Sequence, residues 1–463
     1  MSFKKFILKN RLILLFFCSH TLLALFLGRF YAFAPDEEGY LNTFNRIYTT
    51  PLGTSSQIGG GWSTASKPFL WIAYSPAKIL NVIGIPDYLS IRLLSILLIT
   101  ITLHLLLDIN RRSQKSIGVS EKMIFVSFFI PSVFLWTSLG LRESFLFFEL
   151  AIFLSGFNLF IKGHIKRGSF YLFLGSYSLV STKSYLWACL MLALILSITI
   201  LFIIGPRRPQ ASKFLFLGFV LPLITLAATP QPQLLSYIYQ SSISDTGARS
   251  GLSTNKVYVD ESENESIVKA EPGQEAITLQ GNYSVIATNS FLNKNPDAML
   301  SKVFRAFSFD IEVQKVLKRE LSQKLDQKVG IETTTRNSYA LKPGRISEPV
   351  SMITPAFLFL FGPFPFSENQ TAAASISYIE SPLWWTCYAL IVFQFFKFRK
   401  VKFLRDPQIL LTLIFLAGLV AASALVEVNP GTSFRHRSIL LVPLLFLHVR
   451  LAQRATENGI KEL

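Results

Sequence analysis

Residues 142–168 read RESFLFFELAIFLSGFNLFIKGHIKRG. A charged pair, Arg142-Glu143, opens an apolar run from Ser144 to Ile161, and Lys162, Lys166 and Arg167 follow it. A helix crossing the hydrocarbon core of a bilayer needs about 20 mostly apolar residues, and short cytoplasmic loops are enriched in Lys and Arg. The stretch therefore reads as a membrane span that ends in a cytoplasmic connector. The pattern recurs along the chain, so the expected fold class is an all-α polytopic membrane protein with about ten transmembrane helices.

Working outward, the other apolar segments are Leu12–Gly28, Leu89–Leu107, Met123–Gly140, Ser169–Thr182, Ser184–Gly205, Phe214–Ala228, Tyr378–Phe396, Gln408–Glu427 and Arg437–His448. With Lys4, Lys5, Lys9 and Arg11 placed inside, the first run is a retained helix entering from the cytoplasm. The connectors Asp108–Lys122, Lys162–Gly168, Pro206–Lys213 and Lys397–Asp406, all strongly basic, then fall on that same side. Pro349–Phe366 is apolar but carries Pro355, Gly362, Pro363 and Pro365. Counting it as a crossing would put Lys397–Arg405 outside, so it reads as re-entrant or interfacial. Lys67–Pro86 reads as interfacial on the outer face. Both termini are expected in the cytoplasm.

Three parts result. Residues 1–228 form an N-terminal membrane module with a first outer loop at 29–88. Residues 229–348 form a large non-cytoplasmic region of mixed structure, and 349–463 a C-terminal membrane module including 349–366. In the large region Asp260–Glu275 is acidic and reads as irregular. Met299–Lys328 has helical character, with Phe309, Val313, Leu317, Leu321 and Leu325 recurring every four residues.

Composition agrees with a membrane protein. The chain has 463 residues, 51% hydrophobic and only 16% charged, with 42 Phe, whereas soluble domains average about 25% charged. A net charge of +17 would suggest nucleic acid in a soluble protein. The region Thr229–Glu348, however, holds 14 Lys/Arg and 14 Asp/Glu. The excess belongs to membrane-proximal connectors facing anionic lipid, which argues against a nucleic-acid partner. Cys18, Cys189 and Cys387 lie in apolar runs without the spacing of a disulfide framework or thiolate metal cluster. No Gly-rich phosphate loop, His-Glu-x-x-His or Gly-x-Ser-x-Gly is present.

The residues open to chemistry are charges at the outer ends of spans. Asp36-Glu37-Glu38 follows the first span, and a carboxylate there can take a proton from a hydroxyl or help hold a divalent ion. A solvated loop after a helix, common just outside a membrane, is the alternative reading. Arg142-Glu143 sits between two apolar runs with almost no loop, where Arg142 can clamp phosphate and Glu143 can orient it; a plain hairpin tip is the alternative. Arg92, Lys183, Arg435 and Arg437, with His436, oppose the positive-inside trend. Together with Arg142 they suit an anionic, lipid-linked phosphate or diphosphate, or else simple neutralisation of anionic lipid. Glu149 and His104, inside spans, read as buried polar partners.

Phe33-Ala-Pro35-Asp36-Glu37-Glu38-Gly-Tyr40 resembles the opening loop of GT-C superfamily glycosyltransferases. The stretches Pro131–Ser144, Phe361–Phe366 with the later Glu380, and Asn429–Arg437 are similar to segments of bacterial membrane proteins from exopolysaccharide and O-antigen clusters. The resemblance implies an inner-membrane glycosyltransferase working on the non-cytoplasmic face. It would move sugar from a polyprenyl-phosphate or diphosphate donor to a glycan or glycolipid acceptor, with inversion. Asp36 would be the preferred base and Glu37 the next, with Arg142, Arg435 and Arg437 on the lipid phosphate. A divalent cation (Mg or Mn) at Asp36, and other glycan-assembly membrane proteins as partners, stay open. Two alternatives belong to the same pathway. One is a polysaccharide or O-antigen polymerase joining lipid-diphosphate-linked repeat units, and the other is a lipid-linked sugar translocase needing no base.

Overall fold

A computed structural model describes residues 3–49, 67–111, 121–204, 216–228, 256–261, 264–269, 275–278, 284–287, 349–362, 364, 372–397, 403–426 and 430–457. The helical reading of Met299–Lys328 and much of the basic connectors lie outside the described residues. Chain contacts define two units. One comprises Met1–Leu226, Ala356–Ser423 and Asn429–Leu463, and the other Ala227–Pro355 with Ala424–Val428.

The first unit is helical. Its N-terminal part contains α1 (Phe3–Phe26), α2 (Pro35–Thr49), α3 (Lys67–Val82), α4 (Asp87–Arg111), α5 (Glu121–Ser127), α6 (Pro131–Thr137), α7 (Arg142–Ile161), α8 (Ile165–Thr182) and α9 (Ser184–Ile204). A π-helical turn at Phe216–Val220 leads into α10 (Leu221–Ala228). Among the described residues, four helices are long and apolar enough to cross a membrane: Asp87–Arg111, Arg142–Ile161, Tyr185–Ile203 and Pro407–Leu425. The shorter apolar helix Asn10–Phe26 follows a break in helical backbone at Asn10.

The centre of the unit is α7. It is apolar on every side and buried along nearly all its length, as expected of a helix enclosed by others. Its 20 residues span about 30 Å at 1.5 Å per residue, the thickness of a bilayer core. Helix α8 runs back against it at close range. A Cβ on Gly175 would stand 2.8 Å from Phe153 N and 2.9 Å from the Glu149 carbonyl. Small residues permit such backbone approach between membrane helices.

The structure corrects several expectations. Within the outer loop 29–88 lie α2 and, inside the interfacial stretch Lys67–Pro86, α3. The acidic triple 36–38 forms the first turn of α2, where carboxylates face the positive end of the helix dipole. Met123–Gly140 is no single span. Chain turns at 128–130 separate α5 from α6, whose first residue is Pro131. Proline lacks the N–H and crowds the preceding turn, which ends α5.

After the second unit's residues the helical unit continues from α11 (Ile353–Phe361), which crosses the unit boundary, to α12 (Ala372–Lys397). Then follow α13 (Pro407–Val426), α14 (Pro430–Arg437), a 3-10 turn at Ser438–Leu440 and α15 (Leu441–Glu457).

The second unit holds four described strands, β1 (Lys256–Glu261), β2 (Asn264–Lys269), β3 (Glu275–Thr278) and β4 (Ser284–Ala287). They pair antiparallel as β1–β2 and β3–β4. Part of the acidic stretch Asp260–Glu275 is therefore a hairpin. The β-branched and aromatic residues Val257, Tyr258, Val259, Ile267 and Val268 suit strands, and the acidic residues among them conceal that pattern.

Polar networks mark the two ends of α7. At its C-terminal end Asn158 accepts from Gln408, whose own N–H bonds Asp406 Oδ1. Asp406 also receives two hydrogen bonds from Arg450. The N-terminal end carries the residues singled out in the sequence.

Candidate functional site

The end of the unit that carries Glu143 is built on an apolar floor. Leu27, Tyr40, Phe44, Ala73, Tyr74, Ile91, Leu139, Leu141 and Phe145 pack there as one buried cluster. Into this floor is set one buried ion pair. Arg92 donates from Nε and Nη2 to the two oxygens of Glu37, with side chains 0% and 2% exposed. Arg92 also donates to the carbonyls of Ala24 at 3.3 Å, Gly28, and Tyr31 at 3.3 Å. Glu37 in turn accepts the backbone N–H groups of Phe33, Ala34 and Gly140. Burial alone would push the Glu37 carboxyl up, but Arg92 and the backbone donors outweigh it and hold it below its ordinary value.

Those contacts tie α1, α2, α4 and the α6–α7 corner together. They also consume the polar atoms of Arg92 and Glu37 within the protein. Gly140 belongs to the same joint, since a Cβ there would lie 2.6 Å from Ile91 Cγ2 and 3.4 Å from Glu37 Oε1.

On the same turn of α2, Asp36 behaves differently. Its side chain is 38% exposed and Oδ2 accepts from Arg435 Nη1. The opposite edge of Arg435 holds Glu143, through Nε to Oε1 at 2.5 Å and Nη2 to Oε2 at 3.1 Å. Glu143 is only 2% exposed and lies in the first turn of α7, where a carboxylate meets the helix dipole favourably. Burial would weaken the Arg435 proton affinity, yet Glu143, with a smaller contribution from Asp36, raises it above its ordinary value.

Two further cations join. Lys183, in the break between α8 and α9, donates from Nζ to His436 Nε2 at 2.9 Å. Arg142 and Lys183 are both near enough to act electrostatically on Glu143. Each cation also lies against an aromatic face. Arg142 is 5.5 Å from the Tyr40 centroid, Lys183 5.0 Å from Tyr185, and Arg435 5.8 Å from Trp136. Such contacts attract electrostatically and restrict where each charge can sit. Burial pushes the Tyr40 phenol up, with Arg142 and then Arg435 drawing it partly back.

Of the residues expected from sequence, Asp36, Arg142, Glu143, Lys183, Arg435 and His436 come together here. Glu38 is exposed on the turn beside Asp36. Arg92 and Glu37 sit beneath, engaged with each other. Arg437 turns away to a second buried pair, with Nη2 on Glu380 Oε1 at 3.1 Å and Nη1 on the Gly362 and Leu360 carbonyls. Glu380 also takes the backbone N–H and hydroxyl of Ser132 and the indole N–H of Trp384. Nothing in the local sequence marks Tyr40, Trp136 or Tyr185 as partners of these cations. Tyr40 stands four residues after Asp36, a helical spacing that becomes meaningful only once 35–49 is known to be a helix.

Both Glu143 oxygens and Asp36 Oδ2 face one guanidinium, which would oppose a divalent cation at those atoms. Among the described residues no group of three His, Cys, Asp or Glu side chains converges. What the arrangement can do is hold an anion on Arg142, Lys183 and Arg435 beside an accessible carboxylate. Compared with protein-family models, curated proteins and solved structures, the chain matches none.

Proposed function

We propose that the chain is a multi-pass bacterial inner-membrane glycosyltransferase with a GT-C-like fold. It has about ten spans, cytoplasmic termini and a site on the non-cytoplasmic face. It transfers a sugar from a polyprenyl-phosphate donor to a glycan or glycolipid acceptor, with inversion.

One observation carries this reading: Asp36, Arg142, Lys183 and Arg435, from separate parts of the chain, gather at one end of the helical unit. Cations set beside hydrocarbon are costly unless they serve an anion or a partner. Arg142, Lys183 and Arg435 against Asp36 and Glu143 leave one positive charge in excess, which suits a phosphodiester. The orientation draws support from α7, because the oppositely charged pair Arg142-Glu143 begins it and the basic residues Lys162, Lys166 and Arg167 follow its other end.

In the reaction, Asp36 accepts the proton of an acceptor hydroxyl. The oxygen attacks the anomeric carbon opposite the phosphate. The bond from that carbon to the phosphate oxygen breaks, and its electron pair leaves with the lipid phosphate. Arg142, Lys183 and Arg435 take up the charge that develops there.

The test is transfer from a polyprenyl-phosphate sugar by purified protein in proteoliposomes. Asp36→Asn should lower the rate about 10²- to 10⁴-fold, and full activity in that variant would remove the base assignment. A deletion strain should accumulate a truncated glycan unit. Complete single repeat units would make the enzyme a polymerase instead. A lipid-linked sugar stranded on the cytoplasmic face would make the chain a translocase.

A further inference from the structure

We propose that the donor phosphate and Asp36 compete for one edge of Arg435, so that donor binding is what releases the base. The inference rests on the transferase reading above and adds an order to its steps.

The two carboxylates on Arg435 are held unequally. Glu143 is buried and grips the Nε/Nη2 edge with both oxygens. Trp136 lies against the same guanidinium, so the group keeps its plane while Glu143 stays. Asp36 is the exposed partner, and among the described residues its side chain has Arg435 as its one bonded contact, at Nη1. An anion arriving from outside therefore meets Nη1 with the weaker-held carboxylate on it. A phosphate can replace Asp36 there and gain Arg142 and Lys183 at the same time.

The exchange changes what Asp36 can do. While Oδ2 receives a hydrogen bond from Arg435, that lone pair is unavailable to a hydroxyl proton. Once phosphate occupies Nη1, Oδ2 is released close to the newly bound sugar phosphate. Proton transfer to Oδ2, attack at the anomeric carbon and departure of the lipid phosphate then follow as written above. Without donor the carboxylate stays tethered to Arg435 through Oδ2. Arg435 thus acts on the substrate, and Glu143 is a positioning residue that fixes which edge is exchanged.

Competition has a counter-intuitive signature: removing the base should improve binding. A short-chain polyprenyl phosphate, titrated into detergent-solubilised protein and followed by tryptophan fluorescence, is the probe. Asp36→Asn should bind it about two- to fivefold more tightly than wild type, as expected for the loss of one exposed ion pair. Asp36→Ser, which also lacks the charge, should do the same, with both variants checked by melting temperature. Glu38→Gln removes one charge from the same turn without a bond to Arg435, and should leave the affinity unchanged. Equal tightening in Glu38→Gln would make the effect general electrostatics and overturn the exchange. Unchanged or weaker binding in both folded Asp36 variants would overturn it too, while leaving the transferase reading intact. Failure of wild type to bind the probe would overturn both.

Discussion

Arg92 grips Glu37 through two parallel hydrogen bonds, Nε to Oε1 at 2.9 Å and Nη2 to Oε2 at 2.8 Å, with both side chains shut away from solvent. The pair is buried beside Asp36 on the same turn of α2, and it joins α1, α2, α4 and the α6–α7 corner. Its role is to fix the register of those elements, so its failure should appear first as lost stability.

Removing one partner leaves the other charge buried and unpaired. Arg92→Met or Glu37→Leu should each cost about 3–5 kcal/mol. The double variant should not return to wild-type stability, although apolar replacement of a buried pair is often neutral. The N–H groups of Phe33, Ala34 and Gly140 would lose their acceptor, at about 1–3 kcal/mol for each that stays unsatisfied. Melting temperatures of the three detergent-solubilised variants check this.

The same pair sets a pH dependence. The Glu37 carboxyl sits below its ordinary value of 4.5 in the folded protein. Its contribution is therefore complete above that value and is lost as pH falls through the lowered folded one. Wild type should lose melting temperature on acidification below pH 4.5 more steeply than Glu37→Gln. Parallel curves for the two proteins would contradict the assignment.

Gly140 connects this joint to the floor of the site. A methyl group there would approach Ile91 Cγ2 to 2.6 Å, so Gly140→Ala should destabilise by about 1–3 kcal/mol through overpacking. Ile91→Ala removes Cγ2 and opens a cavity of its own. The double variant should cost less than the sum of the singles, because each change relieves the other.

The charged residues are legible in the sequence for a physical reason. A cation or carboxylate at the outer end of an apolar run must meet water, a partner or a ligand, so Asp36, Arg142, Glu143, Lys183 and Arg435 stood out. Sorting them was harder. Arg92 finds Glu37 and Arg437 finds Glu380 across more than fifty residues, and no local spacing announces such a pairing. The elements failed where local signals conflicted. Pro131 broke what hydropathy joined, and the polar residues of α2 hid a helix that packs Tyr40 and Phe44 into the core.

Two arginines separated by one residue should therefore give opposite signatures. Arg435 is reached from outside through Asp36, whereas Arg437 is 0% exposed and engaged with Glu380 and two carbonyls. Lysine keeps the charge but loses the planar fork. Arg435→Lys cannot keep both Glu143 oxygens and an anion on separate edges, and should weaken polyprenyl phosphate binding about ten- to a hundredfold, the value of one or two charge-assisted hydrogen bonds. Its melting temperature should fall little by comparison. Arg437→Lys should do the reverse, lowering the melting temperature while the folded fraction binds the probe as wild type does. Affinity and melting temperature measured on both variants decide the matter, and loss of probe affinity in folded Arg437→Lys would return that residue to the phosphate-binding set.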